Sequence, residues 1–244
     1  MEVGTTSLPE KQELLYEGKA KLLYRTSDPE LVWVEFKDDL TAFDGKKHAT
    51  LEGKGAFNNQ ISAVLMGMLN QEGMRTHFVQ LISEREQLVR HLKMVPLEVV
   101  VRNIVAGSLS RRTGIAEGTI LEEPIVEFYY KSDELGDPLL CHQHITKVLR
   151  LATQEEIEEL AQAGLAINRV LSHFFDQRGV TLVDFKLEFG RDSQGNLVLG
   201  DEITPDTCRL WDKATGTKMD KDRFRRDLGN VAEAYAEVLK RVGA

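Results

Sequence analysis

From residue 183 to 189 apolar and charged side chains alternate without a break: Val183, Phe185, Leu187 and Phe189 are separated by Asp184, Lys186 and Glu188. A period of two is a strand signature, with three charges on one face and four large apolar side chains on the other. Gly190, Asp192, Ser193, Gly195 and Asn196 supply a turn, and residues 197–199 return as a second strand that ends at Gly200, Asp201 and Glu202. Elsewhere the pattern changes to helical spacing. Phe57, Ile61, Val64, Leu65, Met68 and Leu69 predict a core helix stopped by Gly73, and Ile157, Leu160, Ala161, Leu165, Leu171, Phe174 and Phe175 predict another. Thr153 and Glu156 form a capping box for the second, and Gly179 ends it. Phe224, Leu228, Val231, Tyr235, Val238 and Leu239 give a last helix after Asp220 a core face.

The remaining elements are shorter. Residues 1–9 are small and polar and read as a loose tail, with order beginning near Leu14. Leu14 to Tyr16 and Leu22 to Tyr24 flank Glu17, Gly18, Lys19, Ala20 and Lys21 as strand, tight turn and strand. Residues 31–36, 76–82, 86–92 and 97–101 read as further strands, residues 37–55 as a polar loop holding Asp44, and residues 119–144 as irregular. Pro96 interrupts the strand run and predicts a hinge between two lobes. Gly107 and Ser108 open a short helix stopped by Gly114.

With 244 residues and 42% hydrophobic content, the chain can bury a substantial core. A net charge of −8 argues against general nucleic-acid or anionic-membrane binding, so any phosphate must meet a local basic cluster. Cys141 and Cys208 form no Cys-x-x-Cys pair, which suggests neither a zinc site nor a disulfide framework and fits a reducing cytosol. The absence of a membrane-length apolar run and of a signal peptide points to a soluble, cytoplasmic protein.

Candidate chemistry gathers on the hairpin. Glu188 and a returning Asp201 are two converging carboxylates, a donor pair suited to magnesium, which bridges one or two carboxylates to substrate phosphates. Sharing a face requires Leu197 and Leu199 to point the same way, where an apolar side chain floors a purine ring, and Val198 to point away. An amphipathic hairpin with a solvated acidic face fits the same alternation, although such a face has no need of Lys186 between two carboxylates. Gly18, Lys19 and Lys21 form a turn able to approach phosphates, or simply a solvated hairpin. Ser108 with Arg102 makes a phosphate-monoester site or a plain N-cap. Arg223, Arg225 and Arg226 at the start of a helix oppose its dipole and call for a nearby anion. His142 and His144 lack the companions a metal pair needs.

Five blocks in order carry a resemblance: GKAK at residues 18–21, VVVRN with GS at 99–108, VDFKLEFG at 183–190, LGDEITPD at 199–206, and RLWD with MDKDRFR at 209–225. Together they resemble the phosphoribosylaminoimidazole-succinocarboxamide synthase family over residues 14–242. The resemblance implies a two-lobed α+β fold, antiparallel sheets flanked by helices, related to protein kinases and ATP-grasp enzymes. It divides the chain into a tail (1–13), a mainly β N-terminal lobe (14–95) and an α+β C-terminal lobe (96–244). It also implies an ATP-dependent ligase that joins the carboxylate of carboxyaminoimidazole ribotide (CAIR) to the amine of L-aspartate, and a homodimer. Carried over by position, Gly18, Lys19 and Lys21 hold ATP phosphates and Lys93–Met94 is the adenine hinge. Glu188 and Asp201 hold magnesium; Arg102, Ser108, Lys131, Arg209 and Arg225 bind substrate. Lys186, Asp184 and Asp44 surround the reaction, with Asp184 as the base for the aspartate amine. A small-molecule phosphotransferase shares the hairpin and lysine turn but has no need of Arg102, Ser108 and Arg209. A nucleotide-binding regulatory module has no need of a complete transfer site.

Overall fold

The computed structural model describes residues 8–42 and 47–243. Two antiparallel sheets face each other across a cleft, with helices packed on the larger one. The N-terminal sheet is built from β1 (Lys11–Glu17), β2 (Lys21–Thr26), β3 (Leu31–Phe36), β6 (Phe78–Leu81) and β7 (Glu86–Arg90), in the order β1-β2-β3-β7-β6. Between β3 and β6 come a small hairpin, β4 (Asp39–Ala42) with β5 (Lys47–Thr50), and helix α1 (Lys54–Gln71). The chain continues through β8 (Lys93–Ile104), α2 (Gly107–Thr113), β9 (Ile120–Tyr130), β10 (Leu139–Leu140), a π-helical turn (His144–Leu149) and α3 (Gln154–Asp176). It ends with β11 (Val180–Arg191), β12 (Leu197–Leu199), β13 (Cys208–Asp212), α4 (Asp222–Arg225) and α5 (Val231–Val242). The second sheet runs β10-β9-β8-β11-β12, with β13 also paired to β11.

The alternation seen in sequence sets the core. Phe185, Leu187 and Phe189 enter the main apolar cluster with Val99 and Val101 of β8, Leu160 and Leu171 of α3, and Tyr235 and Val238 of α5. Ile61, Leu65 and Leu69 of α1 belong to the same cluster, although α1 lies within the N-terminal half of the sequence. The N-terminal sheet keeps only a small core of Val32, Val34, Phe36 and Val89. Leu199 joins the sheets: its amide donates to the Arg75 carbonyl (2.9 Å) and its carbonyl accepts from the His77 amide (2.7 Å).

Several expectations are corrected here. Order extends to Lys11 at least, because β1 pairs Lys11 with Thr26. Part of the 37–55 segment is the β4–β5 hairpin. Pro96 lies inside the continuous strand β8, tolerated where the β8–β11 ladder shifts register between Glu188 and Gly190. Residues 120–130 are a strand, hidden in sequence by Pro124 and Glu122, Glu123 and Glu127. Pro124 sits where the β8–β9 register shifts between Arg102 and Ile104, which needs no ladder bond from it. The last helix is two pieces, broken where Asp227 (φ 54°), Gly229 (φ 68°) and Asn230 (φ 50°) adopt left-handed backbone. Leu228 in that break is exposed rather than core.

Candidate active site

A cleft of about 850 Å³ lies between the sheets, and the charged face of β11 forms its floor. Asp184 and Glu188 are only 3% and 2% exposed. Central pairing with β8 fixes their direction: Asp184 stands opposite Arg102, Lys186 opposite Val100, and Glu188 opposite Glu98. Two acids facing each other across a ladder repel. Lys186 resolves this, its Nζ lying 2.6 Å from Glu188 Oε1, 2.9 Å from Glu98 Oε1 and 3.7 Å from Asp201 Oδ2. Burial works against the Lys186 ammonium, but Glu188, Asp201 and Glu98 together raise it well above its usual value.

Asp201 reaches this group by a route the strand period does not describe. β12 pairs Leu199 with Phe189, so Leu199 enters the core, while Val198 pairs with Gly190. The expected apolar floor from Leu197 and Leu199 is therefore overturned; Leu23, Val32, Val34 and Val89 of the N-terminal sheet line the cleft instead. Past Leu199 the Gly200 amide donates to the Glu188 carbonyl (2.9 Å), and Asp201 adopts φ 55°. That left-handed backbone at a non-glycine residue belongs to a carboxylate gripped by lysines. Lys21 of β2 bonds Asp201 and lies 3.5 Å from Glu202, and Lys131 at the end of β9 bonds Glu188. Burial opposes the charge on Asp201, but Lys21, Lys186 and Lys131 hold it below the usual carboxylate range, whereas burial raises neighbouring Glu202.

At the other end of the floor, Asp184 anchors two guanidiniums. Arg102 Nη1 donates to its Oδ2 (2.6 Å), and Arg209 Nη1 donates to Oδ2 (2.8 Å) and Oδ1 (3.0 Å). Arg102 also donates to Ser108 Oγ (3.0 Å), Tyr129 Oη (3.1 Å) and Glu127 (2.7 Å). Asp222 ties Arg209 (Nε, 3.0 Å) to Arg225 (Nη1, 2.7 Å). Of the three arginines near α4, Arg225 pairs with Asp222 and Arg226 with Glu117 and Asp222, whereas Arg223 donates to the backbone carbonyls of Gly229, Lys218 and Leu228. Asp220, two residues from Asp222, contrasts with it. Burial and then Asp222 push the Asp220 carboxyl up to about 7, while Arg209 and Arg225 outweigh burial at Asp222 and hold it at about 2. Because the folded value of Asp220 exceeds its ordinary 3.8, its contribution to stability is complete below 3.8 and is lost as pH rises through about 7. Carboxyl-carbon NMR should show Asp220 titrating near 7; a midpoint near 4, the ordinary carboxyl range, contradicts this.

The N-terminal sheet contributes the opposite wall. Gly18 and Lys21 close the turn (Gly18 amide to Lys21 carbonyl, 2.8 Å), and Lys19 spans the cleft to Asp133 (2.7 Å). Met94 lines the cleft whereas Lys93, next along β8, does not; the joint before β8 is His91 and Leu92, which also line it. Asp44 lies outside the described residues. Among the cleft residues that escaped the sequence reading are Glu98, His77 and Lys221. Glu98 was detectable, because Glu98 and Arg102 stand four residues apart on one face of an otherwise apolar strand, as Asp184 and Glu188 do on the strand facing them. His77, a buried imidazole lowered to about 4 by burial and then by Lys21, carries no comparable sequence signal.

The family model for SAICAR synthetase matches residues 14–242. The chain belongs to the SAICAR synthetase family. The phosphoribosylaminoimidazole-succinocarboxamide synthase of Brevibacillus brevis is 58% identical over 234 residues, covering 96% of this chain and 98% of that relative. Among solved SAICAR synthetases, the enzyme from Ehrlichia chaffeensis superposes with a TM-score of 0.92 at 49% identity, covering 95% of this chain and 99% of that one. Another, solved in complex with ADP, gives 0.91 at 48% identity, covering 95% and 97%. The five sequence blocks of the SAICAR synthetase resemblance all contribute residues to the cleft just described.

Proposed function

We propose that this chain joins the carboxylate of CAIR to the amine of L-aspartate, converting ATP to ADP and phosphate through an acyl phosphate, as a step of purine biosynthesis. The observation that carries the reading is the charged row on β11. It offers an arginine-bound carboxylate at one end, a lysine-bound carboxylate at the other, and Lys186 between them. ATP enters as the phosphoryl donor, in keeping with the ADP-bound relative. Gly18, Lys19 and Lys21 face its phosphates, and Met94 with the apolar wall of β2, β3 and β7 faces its base. Magnesium is the metal of this reading. Among the described residues no cluster of three or more acid, histidine or cysteine ligands forms a cage, and magnesium does not need one. Glu188 and Asp201 offer two hard oxygen donors already linked through one ammonium, and they would hold it. When bound it offsets charge on phosphate and carboxylate oxygens.

The protein's own groups do the rest by position and field. Lys186 and Lys131 place positive charge where a carboxylate meets a phosphoryl group. Arg102, Ser108 and Arg209 form the seat for the ribotide phosphate. With both oxygens accepting from guanidiniums, Asp184 orients that seat, and this role replaces that of a base for the aspartate amine. Gly107 guards the same seat. At φ +55° it leaves no room for a side chain, since a Cβ there would lie 2.3 Å from Arg209 Nη2. Gly107→Ala should displace Arg209 and raise the KM for CAIR by about tenfold or more, with ATP affinity retained; an unchanged KM for CAIR removes Arg209 from the seat.

The reading extends to two lobes meeting near residue 95 and to a cytoplasmic homodimer with free thiols at Cys141 and Cys208. No helix among the described residues is long and apolar enough to cross a membrane. The decisive assay follows ADP and the succinocarboxamide product with MgATP, CAIR and L-aspartate, omitting one component at a time. Product and ADP should appear together and only in the complete mixture. ADP release that ignores aspartate, with no amide formed, supports a phosphotransferase instead.

A further inference from the structure

Outside the cleft, the loop that links α2 to β9 is tied to the end of α4 through Glu117. Its base is set by the exit of β8: the Gly118 amide donates to the Val105 carbonyl (2.9 Å), and the Val105 amide donates to the Thr119 carbonyl (2.8 Å). From that base Glu117 meets two cations. Lys218, which bridges to Trp211 of β13 and lies over its ring (5.1 Å), donates to Glu117 Oε1. Arg226, the residue after α4, donates through both terminal nitrogens, Nη1 to Oε1 (3.0 Å) and Nη2 to Oε2. Arg226, and then Lys218, hold the Glu117 carboxyl at about 2 against its partial burial. The side chains of Glu117, Lys218 and Arg226 keep 30%, 16% and 39% of their surface exposed. An ion pair this open adds little to stability, so its effect lies in where it keeps Arg226.

Among the described residues, the other carboxylate paired with Arg226 is Asp222. Arg226 Nη2 lies 3.5 Å from Asp222 Oδ2, the oxygen that accepts from Arg209 Nε (3.0 Å), whereas Arg225 bonds Oδ1 (2.7 Å). Two guanidiniums therefore compete for one oxygen. Glu117 stabilises the charge on Arg226 most, Asp222 adds to it, and Arg209 acts against it. A carboxylate that takes both arms of a guanidinium fixes its plane as well as its place. We infer that Glu117 is a positioning residue for the ribotide-phosphate seat: by gripping Arg226 it keeps that arginine off Asp222 and leaves Asp222 Oδ2 to orient Arg209. The inference rests on the seat proposed above. Its effect is confined to that seat, because Arg225 uses the other oxygen of Asp222, while Arg209 carries its orientation on to Asp184 through Nη1.

The test is steady-state kinetics of full-length Glu117→Ala, Arg226→Gln and the double variant, with each substrate varied in turn and Tm recorded. Glu117→Ala should raise the KM for CAIR about tenfold, with the KM for ATP held within about twofold. Its Tm should stay within about 4 °C of the wild type, as befits an exposed pair. Arg226→Gln alone should leave the KM for CAIR within about twofold, and the double variant should return it to within about threefold of the wild type, because the competitor for Asp222 is gone. A loop held only for the sake of the fold gives no such rescue. An unchanged KM for CAIR in Glu117→Ala overturns the inference, as does a double variant no better than Glu117→Ala. An equal rise in the KM for ATP marks general damage and overturns it as well. If Gly107→Ala leaves the KM for CAIR unchanged, the seat itself is refuted, so the two failures are distinguishable.

Discussion

Glu188→Ala is expected to lower kcat/KM for succinocarboxamide formation by about a thousandfold or more, the scale lost when a charge-stabilising group is removed from a transfer site. The side chain is 2% exposed and accepts from both Lys186 and Lys131, so its removal leaves two ammonium groups facing Glu98 and Asp201 without the acid that spaces them. Their geometry then relaxes towards Asp201, the remaining magnesium donor. The apolar face of β11 is untouched, so circular dichroism should match that of the wild type. Glu188→Gln separates charge from shape: it preserves the outline but offers a neutral oxygen, and should be nearly as inactive. Near-normal turnover in either variant would falsify the metal assignment.

Lys54→Met is expected to be the most destabilising single change in the polar interior. Lys54 is 1% exposed, and its ammonium lies 2.7 Å from Asp206 Oδ2. Removing one partner of a buried ion pair costs about 3–5 kcal/mol, because the other charge remains buried. At about 2–4 °C per kcal/mol for a chain of this size, Tm should fall by about 6–20 °C. Asn58 and Tyr235 still donate to Asp206, which favours the lower part of that range. The pH dependence has a definite sign. In the wild type, burial opposes the Asp206 charge, but Lys221 and Lys54 hold it below the usual carboxylate range. Its contribution is therefore present above the ordinary carboxyl value and lost as pH falls through the folded one. The deficit of Lys54→Met should accordingly narrow in acid, and Lys54→Met combined with Asp206→Asn should recover part of the loss at neutral pH. An unchanged Tm at pH 7 would show that Asn58, Tyr235 and the nearby charge of Lys221 support Asp206 without Lys54.

Local periodicity made much of this molecule readable before its structure. The β11 alternation announced both the core face and the charged floor, and the Thr153 capping box is realised with both of its bonds. What failed was whatever depends on tertiary partners. A period-2 argument carried past Leu199 gave the wrong facing for Leu197 and Leu199, because Gly200 and Asp201 leave the strand and Asp201 turns through left-handed backbone. β9 stayed hidden because its pairing tolerates Pro124 at a register shift that only the partner strand reveals. Lys221 and His77 are distinguished by what does or does not surround them. A lysine two residues before a block of arginines looks the same in sequence whether or not its ammonium has a partner.

The place of α1 in the main core has a consequence for synthesis. Ile61, Leu65 and Leu69 share their cluster with Tyr235 and Val238, so the apolar side of an early helix is completed by the last one made. While the intervening chain is translated, that side has no final partner. Contacts this distant in sequence slow folding, because the loop must close before they reward it. The wall built on β8 and β11, whose apolar face belongs to that cluster, therefore waits for α5 to dock, whereas the N-terminal sheet has its own small core.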